Sequence, residues 1–243
     1  MISTVDPQAR HTRKSSAHKR DGYKAHLAGE PETGLVTECA LTAATAPDGP
    51  TGVGLLAGEA PGLEVLGDSA YGSGETRAAF RAAGHIQTIK PLPLASATRD
   101  GFTTHDFQVD RRAGTVTCPA GYQAPITASG QASFGRRRCA RCPLRSRCTT
   151  ATGGRTVRVH PHDDELRAAR RHATTRAFHD SYRRWRPMVE RSIAWLVADG
   201  CRRVPYRGLE RNSLWLSARV AALNLRRLLA LGLARRDDAW VLT

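Results

Sequence analysis

The amino-acid sequence predicts an α/β fold in which short strands alternate with helices along a chain of 243 residues. Three observations support this prediction. Several apolar runs of strand length end at turn residues within the first 94 positions. Amphipathic helical patterns separate some of these runs, and helix dominates the chain after residue 161. Strands that alternate with helices are typical of parallel strands joined by helical crossovers.

Residues 1–94 contain five predicted strands in the order β-β-β-α-β-α-β. The run MISTVD forms the first strand and ends at Asp6, and YKAHLAG and LVTECALTA form a hairpin around the turn EPETG. A weak helix is expected around residues 50–59. The run LEVLG predicts a strand that ends at Asp68, ETRAAFRAAG a helix that Gly84 closes, and HIQTIKP a strand that a proline stops.

Two further regions follow, residues 95–160 and 161–243. The first is rich in Gly, Thr and Arg, carries four cysteines, and is interpreted as an insertion. The second is helical, and Pro187 should divide or kink the stretch 162–199. The helix after this proline has a predicted buried stripe made of Val189, Ile193, Leu196 and Val197. A final helix over about 212–231 has a predicted apolar face made of Leu214, Leu216, Val220, Leu223, Leu228 and Leu229.

Charge and composition indicate a polyanionic partner. The chain carries 37 basic against 22 acidic residues, a net charge of +15, and 33 of the basic residues are arginines. A GC-rich coding bias would account for arginine in place of lysine, but not for the basic excess. Nucleic acid is the simplest partner for such a surplus. Because no run of about 18 apolar residues and no signal peptide is found, a cytoplasmic protein without membrane contact is expected.

Three acidic residues are notable for their positions. Asp6 and Asp68 each end a predicted strand, and Glu190 lies beside the predicted buried stripe of its helix. Converging carboxylates repel one another unless a hard divalent cation such as Mg²⁺ or Mn²⁺ neutralises them, and two such ions support phosphodiester chemistry. The local alternatives are a helix cap at Asp68, a favourable helix-dipole position at Glu190 and an ordinary turn at Asp6.

Four stretches carry a family resemblance: STVDPQAR, DGYKAHLA, VLGDSAYGSGE and YRRWRPMVERSIAWL. Together they resemble the core of a bacterial insertion-sequence DDE transposase over about residues 2–232, most closely the subgroup with a cysteine-bearing insertion before the last acidic helix. The resemblance implies a ribonuclease H-like mixed sheet flanked by helices. It also implies that Asp6, Asp68 and Glu190 bind two Mg²⁺ or Mn²⁺ ions, with Arg186 as the arginine of an R-x-x-x-E signature.

The implied activity is metal-dependent DNA cleavage and strand transfer at insertion-sequence ends, with double-stranded DNA as partner. A homodimer during synapsis and a nucleoid-associated location follow from the same resemblance. The residues expected to contact DNA are Arg10, Lys24, Tyr71, Arg137, Arg141, Tyr182 and Arg186. Tyr71 could equally be a core aromatic. Val197 stands where related transposases often have a basic residue, so one DNA contact of the family is not expected.

Related transposases carry a DNA-binding region before the first acid, whereas Asp6 stands almost at the start of this sequence. The sequence therefore predicts an N-terminally truncated copy. Two other interpretations remain open. One is an inactive remnant that binds DNA non-specifically through its basic surface and cysteine-rich region. The other is a ribonuclease H-like nuclease with a different cellular role.

Six cysteines in a cytoplasmic chain argue against a disulfide framework. Four of them, with intervals of 20, 2 and 5 residues, are Cys118, Cys139, Cys142 and Cys148. Thiolates at this spacing suit a tetrahedral, structural Zn²⁺ site, and reduced, unliganded thiols are the alternative. Six arginines within residues 136–147 favour thiolates and predict a phosphate-binding patch beside them.

Overall fold

The computed structural model describes residues 5–13 and 19–242. Its first sheet is an antiparallel meander whose strands are β1 (Arg10–Arg13), β2 (Lys19–Gly29) and β3 (Val36–Ala43). β2 and β3 form the predicted hairpin. The strand predicted over residues 1–6 lies mostly outside the described residues, and Val5 and Asp6 belong to no strand. Asp6 is therefore part of the turn that leads into β1.

A parallel pair of strands comes next, connected through one helix. The elements are α1 (Asp48–Leu55), β4 (Glu64–Gly67), α2 (Gly74–Ala82) and β5 (Ile86–Ile89). The Ser73 hydroxyl accepts a hydrogen bond from the Thr76 amide and so begins α2. Gly84 follows α2 with a φ of 78°, in the left-handed region that favours glycine. These elements confirm the order predicted for this part of the chain.

The cysteine-rich region folds around a local core. Its elements are β6 (Gln108–Asp110), β7 (Thr115–Thr117), β8 (Gln123–Pro125), β9 (Gln131–Ser133), α3 (Arg136–Ala140), α4 (Arg145–Cys148) and β10 (Thr156–Arg158). Phe107 and Val116 are fully buried at its centre, and the rings of Phe107 and Phe134 lie 5.7 Å apart. The buried residues of this core all come from positions 107–159.

The remaining elements are α5 (Asp163–Ala173), α6 (Arg176–Leu196), α7 (Leu209–Ala230), β11 (Leu233–Arg236) and β12 (Ala239–Leu242). The predicted division of the helical stretch at Pro187 is wrong, because α6 runs through that residue, and the alternative of a kink there stays a prediction. The break comes between α5 and α6, where the Thr175 hydroxyl accepts a hydrogen bond from the Phe178 amide. Glu190 therefore lies deep within α6 and not in a first turn.

A second core joins the last two helices to the first sheet. Its buried members are Val36 on β3, Leu196 on α6, and Leu216, Val220 and Leu223 on α7. Asn224 adds a polar clamp, because its Oδ1 accepts from the Val36 amide at 2.9 Å and its Nδ2 donates to the Val36 carbonyl at 2.7 Å. α7 therefore covers the β3 side of the meander.

Parts of the two predicted apolar stripes are wrong. Val189 and Ile193 on α6 are 39% and 51% exposed, and Leu214 and Leu229 on α7 are 70% and 55% exposed. A helix buries only the side that meets a sheet or a neighbouring helix, and in α6 this side includes Ser192 and Leu196.

The described strands pair into five small sheets, with β1–β3 and β4–β5 in separate sheets. The single ribonuclease H-like mixed sheet implied by the family resemblance is therefore not confirmed. α6 contacts β2 of one sheet and β4 and β5 of the other. Throughout residues 5–13 and 19–242, no helix combines the length and the apolar character needed to cross a membrane.

Replacement of Asn224 by Leu should lower the free energy of unfolding by roughly 1–3 kcal/mol, because the amide and carbonyl of Val36 lose their side-chain partner beside a buried core. Urea denaturation followed by circular dichroism measures the change. Leu225→Ala, at the next position, which is 54% exposed, should stay within about 0.5 kcal/mol of the wild type. Equal stability of both variants would argue against the clamp.

Candidate active site

Asp68 stands at the carboxyl end of β4, where the strand gives way to a short 3-10 helix over Ser69–Tyr71. Its Oδ1 accepts a hydrogen bond from the Ala70 amide at 2.8 Å, which caps that helix. The cap interpretation is therefore confirmed for this short helix, and the role of Asp68 as a metal ligand at the end of a strand stays a prediction.

The start of β4 fixes the position of α6. Glu64 Oε1 accepts hydrogen bonds from Ser181 on α6, at 2.7 Å, and from Thr88 on β5. From Ser181 to Glu190, α6 rises by about 13 Å, and from Glu64 to Asp68, β4 advances by about the same distance. If the two elements run in the same sense, Asp68 and Glu190 reach the same level.

The contacts of Arg186 support this arrangement of β4 and α6. Its Nε donates to Glu190 Oε1 at 2.8 Å, and its Nη1 donates to the Tyr182 hydroxyl at 3.1 Å. The hydrogen bond to Glu190 raises the pKa of Arg186, and the nearby charge of Asp68 acts in the same direction. Asp68 and Glu190 therefore lie within electrostatic range of the same guanidinium, although the Glu190 side chain is 63% exposed.

Asp6 has a different set of partners. Its Oδ2 accepts hydrogen bonds from the Tyr23 hydroxyl at 2.7 Å and from the Gly208 amide at 3.1 Å, and its Oδ1 accepts from the Gln8 amide. The hydrogen bond from Tyr23 is the main reason why the pKa of Asp6 lies below its ordinary value. Because Gly208 immediately precedes α7, Asp6 holds the start of that helix close to β2.

Among the residues that the structure describes, no group of three or more His, Cys, Asp or Glu side chains is arranged as a metal site. The Asp68 and Glu190 carboxylates nevertheless have the oxygen chemistry that Mg²⁺ or Mn²⁺ requires. Arg186 competes for Glu190 with any cation that approaches it. The three-acid metal site made of Asp6, Asp68 and Glu190 stays a prediction.

Arg77 supports the turn after Asp68 and was not singled out in the sequence. It is 2% exposed, and it donates from Nε to the Gly72 carbonyl at 3.2 Å and from Nη2 to the Ile89 carbonyl at 2.9 Å. Burial, and then the charge of Arg170, lower the pKa of Arg77 to about 10. The available signal was its spacing of three from Phe80, which puts Arg77 on the buried face of α2.

Tyr71 also points into the protein. Its hydroxyl lies 3.4 Å from Nδ1 of His26, which is 2% exposed and contacts the Thr42 hydroxyl through Nε2 at 2.9 Å. Burial raises the pKa of Tyr71 to about 12 and lowers that of His26. The position of Tyr71 agrees with the interpretation of this residue as an interior aromatic. Its role in DNA contact stays a prediction.

The other residues expected to contact DNA are on several surfaces. Lys24 pairs with Asp48 at 2.5 Å, and the Arg10 guanidinium donates to the carbonyl three residues before it. Arg137 and Arg141 are exposed on and directly after α3. Lys24 and Arg10 are thus bonded within the chain, whereas Arg137 and Arg141 are exposed and accessible to a phosphate.

The four spaced cysteines converge in the structure. Their thiols are free and line one small pocket beside the core of residues 107–159: Cys118, Cys139, Cys142 and Cys148. Cys39 and Cys201 lie apart from them, against the core between β3 and α7.

Residues 117–229 match the family model of the transposase DDE domain. The match includes Arg186 and Glu190 but not Asp6 or Asp68. It confirms the predicted resemblance to DDE transposases, and it indicates a transposition-related function, an enzyme of the nuclease and transposase class and a DNA substrate. DDE transposases generally use divalent metal ions. Searches of curated proteins and of solved structures gave no match.

The Tyr23→Phe variant should have a higher Asp6 pKa, because the hydrogen bond that lowers it is removed. A carboxyl with a lowered folded-state pKa stabilises the fold above its unfolded pKa, and this stabilisation fades as the pH falls through the folded pKa. The variant should therefore lose part of this stabilisation at neutral pH. A carboxyl-carbon NMR titration measures the Asp6 pKa. Tyr122→Phe should leave it unchanged, and an unchanged Asp6 in both variants would refute the coupling.

Proposed function

We propose that this chain is the catalytic core of an insertion-sequence DDE transposase, which cleaves double-stranded DNA at the ends of the element and transfers the strands. The observation that carries the proposal is the position of Asp68 and Glu190 around Arg186, in a chain whose residues 117–229 match a transposase DDE domain. More than a hundred residues separate the two acids in sequence, so their common effect on Arg186 depends on the fold.

In this proposal, Asp68, Glu190 and Asp6 would hold two Mg²⁺ or Mn²⁺ ions. Such ions, when bound, activate the attacking oxygen and stabilise the leaving oxygen of a phosphodiester. Water first cleaves the phosphodiester and leaves a 3′-hydroxyl, which then attacks a phosphorus of the target strand and displaces another 3′-oxygen. The protein forms no covalent intermediate, so its contribution is to position groups and to stabilise charge.

The chain's own side chains supply this positioning. Arg77 ties the turn that follows Asp68 to the end of β5 through two backbone carbonyls. Arg186 orients the Glu190 carboxylate, and a guanidinium released from that carboxylate suits a phosphate oxygen. Tyr182 stacks on Phe178 with ring centroids 5.6 Å apart and holds the other side of Arg186.

The positive surplus of the chain favours DNA as the substrate. A net charge of +15 attracts a polyanion whatever its sequence. The helices of the cysteine-rich region concentrate exposed arginines, namely Arg136, Arg137, Arg138, Arg141 and Arg147. Synapsis of two DNA ends would bring two copies of the chain together, so a homodimer belongs to the same proposal.

A second candidate is a protein that binds DNA without cleaving it. The observation that favours it is the engagement of Asp6 with Tyr23 and Gly208, together with the lack of an assembled metal site in the described parts of the chain. A chain of this kind would bind DNA through its basic surface but would not cleave it.

Asp68→Asn and Glu190→Gln should each abolish Mg²⁺-dependent nicking of a labelled duplex that carries the element's ends. Each removes a carboxylate charge while it keeps the shape of the side chain, and losses of a hundredfold or more are expected for a group that stabilises the transition state. Asp100→Asn changes an exposed acid in the same way and should nick at the wild-type rate. If Asp68→Asn nicks the duplex at the wild-type rate, Asp68 is not a catalytic acid and the proposal is wrong. If the unmodified chain binds the duplex but does not nick it, the second candidate is favoured.

The double variant Arg137→Ala with Arg141→Ala should bind duplex DNA with a shallower salt dependence. Each lost phosphate contact lowers the log–log slope of affinity against salt by about 0.9. Fluorescence anisotropy at several salt concentrations measures the slope. Arg235→Ala serves as the control, because Arg235 pairs with Asp238 at the far hairpin. If the double variant keeps the wild-type slope of affinity against salt, the DNA binds at a surface that does not include Arg137 and Arg141.

A further inference from the structure

The four spaced cysteines reach one pocket from separate elements. Cys118 follows β7, Cys139 lies in α3, Cys142 follows α3 by two residues, and Cys148 ends α4. All four line the same small pocket, which lies against the core of this region. The fold therefore closes a sequence interval of 30 residues, from Cys118 to Cys148, onto a single place.

Backbone turns hold the cysteines in position. The Cys118 carbonyl accepts a hydrogen bond from the Gly121 amide at 2.8 Å, and the Cys118 amide donates to the Tyr122 carbonyl at 2.8 Å. The Cys139 carbonyl accepts from the Cys142 amide at 3.3 Å. Two short turns, one at the end of a hairpin strand and one at the end of a helix, thus present thiols to the pocket from both sides.

One sulfur already accepts a hydrogen bond of the kind that favours a thiolate. The Arg155 amide lies 3.4 Å from Sγ of Cys139 and donates to it. Hydrogen bonds to the charged form of a group stabilise that form. Cys139 is also the most buried of the four, so a charge on it requires compensation from its surroundings.

Two buried arginine nitrogens at the pocket lack acceptors among the described residues. Nη1 of Arg145 and Nε of Arg155 are buried, and neither has a hydrogen-bond partner within residues 5–13 and 19–242. Both side chains line the pocket of the four thiols. A buried cationic donor without an acceptor is costly, whereas four thiolates around one Zn²⁺ carry a net charge of about −2. An anionic metal–thiolate centre would satisfy these donors.

The core of this region is small. It consists of eight buried residues, two of them phenylalanine rings in contact. The four cysteines beside it are free, so their thiols are available to a metal that would add stability to this core.

We propose that Cys118, Cys139, Cys142 and Cys148 bind one structural Zn²⁺ in tetrahedral coordination. Among the described residues, no three His, Cys, Asp or Glu side chains are already arranged around a metal position. Zinc binding would therefore draw the four thiols closer together. All four positions around the metal are protein ligands, so the site stabilises the cysteine-rich region and performs no catalysis. This inference uses none of the three acids, and it stands or falls independently of the DNA cleavage proposed above.

The 243-residue chain, purified without added chelator, should contain about one zinc ion per chain by elemental mass spectrometry. Cys142→Ser should lose it, and Cys142→His, which supplies another zinc ligand, should retain it. Cys39→Ser is the matched control, because Cys39 lies at the other core and should not affect the metal. Asp68→Asn should also keep its zinc, which separates this result from any loss of cleavage.

Two further readouts make the outcome decisive if a variant folds poorly. Co²⁺ added to the chain after zinc removal should give the visible bands of tetrahedral thiolate coordination, and Zn²⁺ should displace it. Arg155→Gln should weaken zinc retention against a chelator by about 10–100-fold, whereas Arg158→Gln, exposed on β10, should not. A wild-type chain that binds neither zinc nor cobalt, or a Cys142→Ser variant with full zinc, would overturn the proposal.

Discussion

A single acceptor, the Glu64 carboxylate, sets the register of the candidate active site. Thr88 on β5 and Ser181 on α6 both donate to its Oε1. A hydrogen bond of this kind contributes only about 0.5–1.5 kcal/mol net, or somewhat more with a charged acceptor. Its importance is geometric, because a shift of α6 by one turn would move Glu190 by about 5.4 Å along β4. Such a shift would change the position of Glu190 relative to Asp68.

Arg186 then decides how the two acids coexist. Two carboxylates that approach one site repel each other, so they need a positive charge close by. Arg186 supplies that charge within α6 itself, through its hydrogen bond to Glu190. On the proposed function, Glu190 would exchange this partner for a divalent ion, and the freed guanidinium would be available to a phosphate oxygen.

The sequence predicted the parts of the fold that local chemistry determines. The hairpin, α2 with its Ser73 cap and Gly84 stop, and β5 follow from patterns within a few residues. The course of α6 through Pro187 and the exposure of Val189 depend instead on which side of the helix meets a neighbour, and no local pattern encodes that. For the candidate site, the motifs singled out Asp68, Arg186 and Glu190, whose roles stay predictions. The partners of Asp6 come from β2 and from the residue before α7, about 200 positions away in one case, which periodicity cannot reveal.

The large arginine content serves two purposes that composition alone does not separate. Arg77 and Arg227 donate to backbone carbonyls inside the fold, so they join distant segments of the chain. A carbonyl does not neutralise the guanidinium, so these residues still add to the positive field around the protein. Direct phosphate contact, by contrast, requires an exposed group, as at Arg137 and Arg141. The net charge therefore predicts attraction to DNA over distance, whereas only the exposed subset determines where the DNA lies.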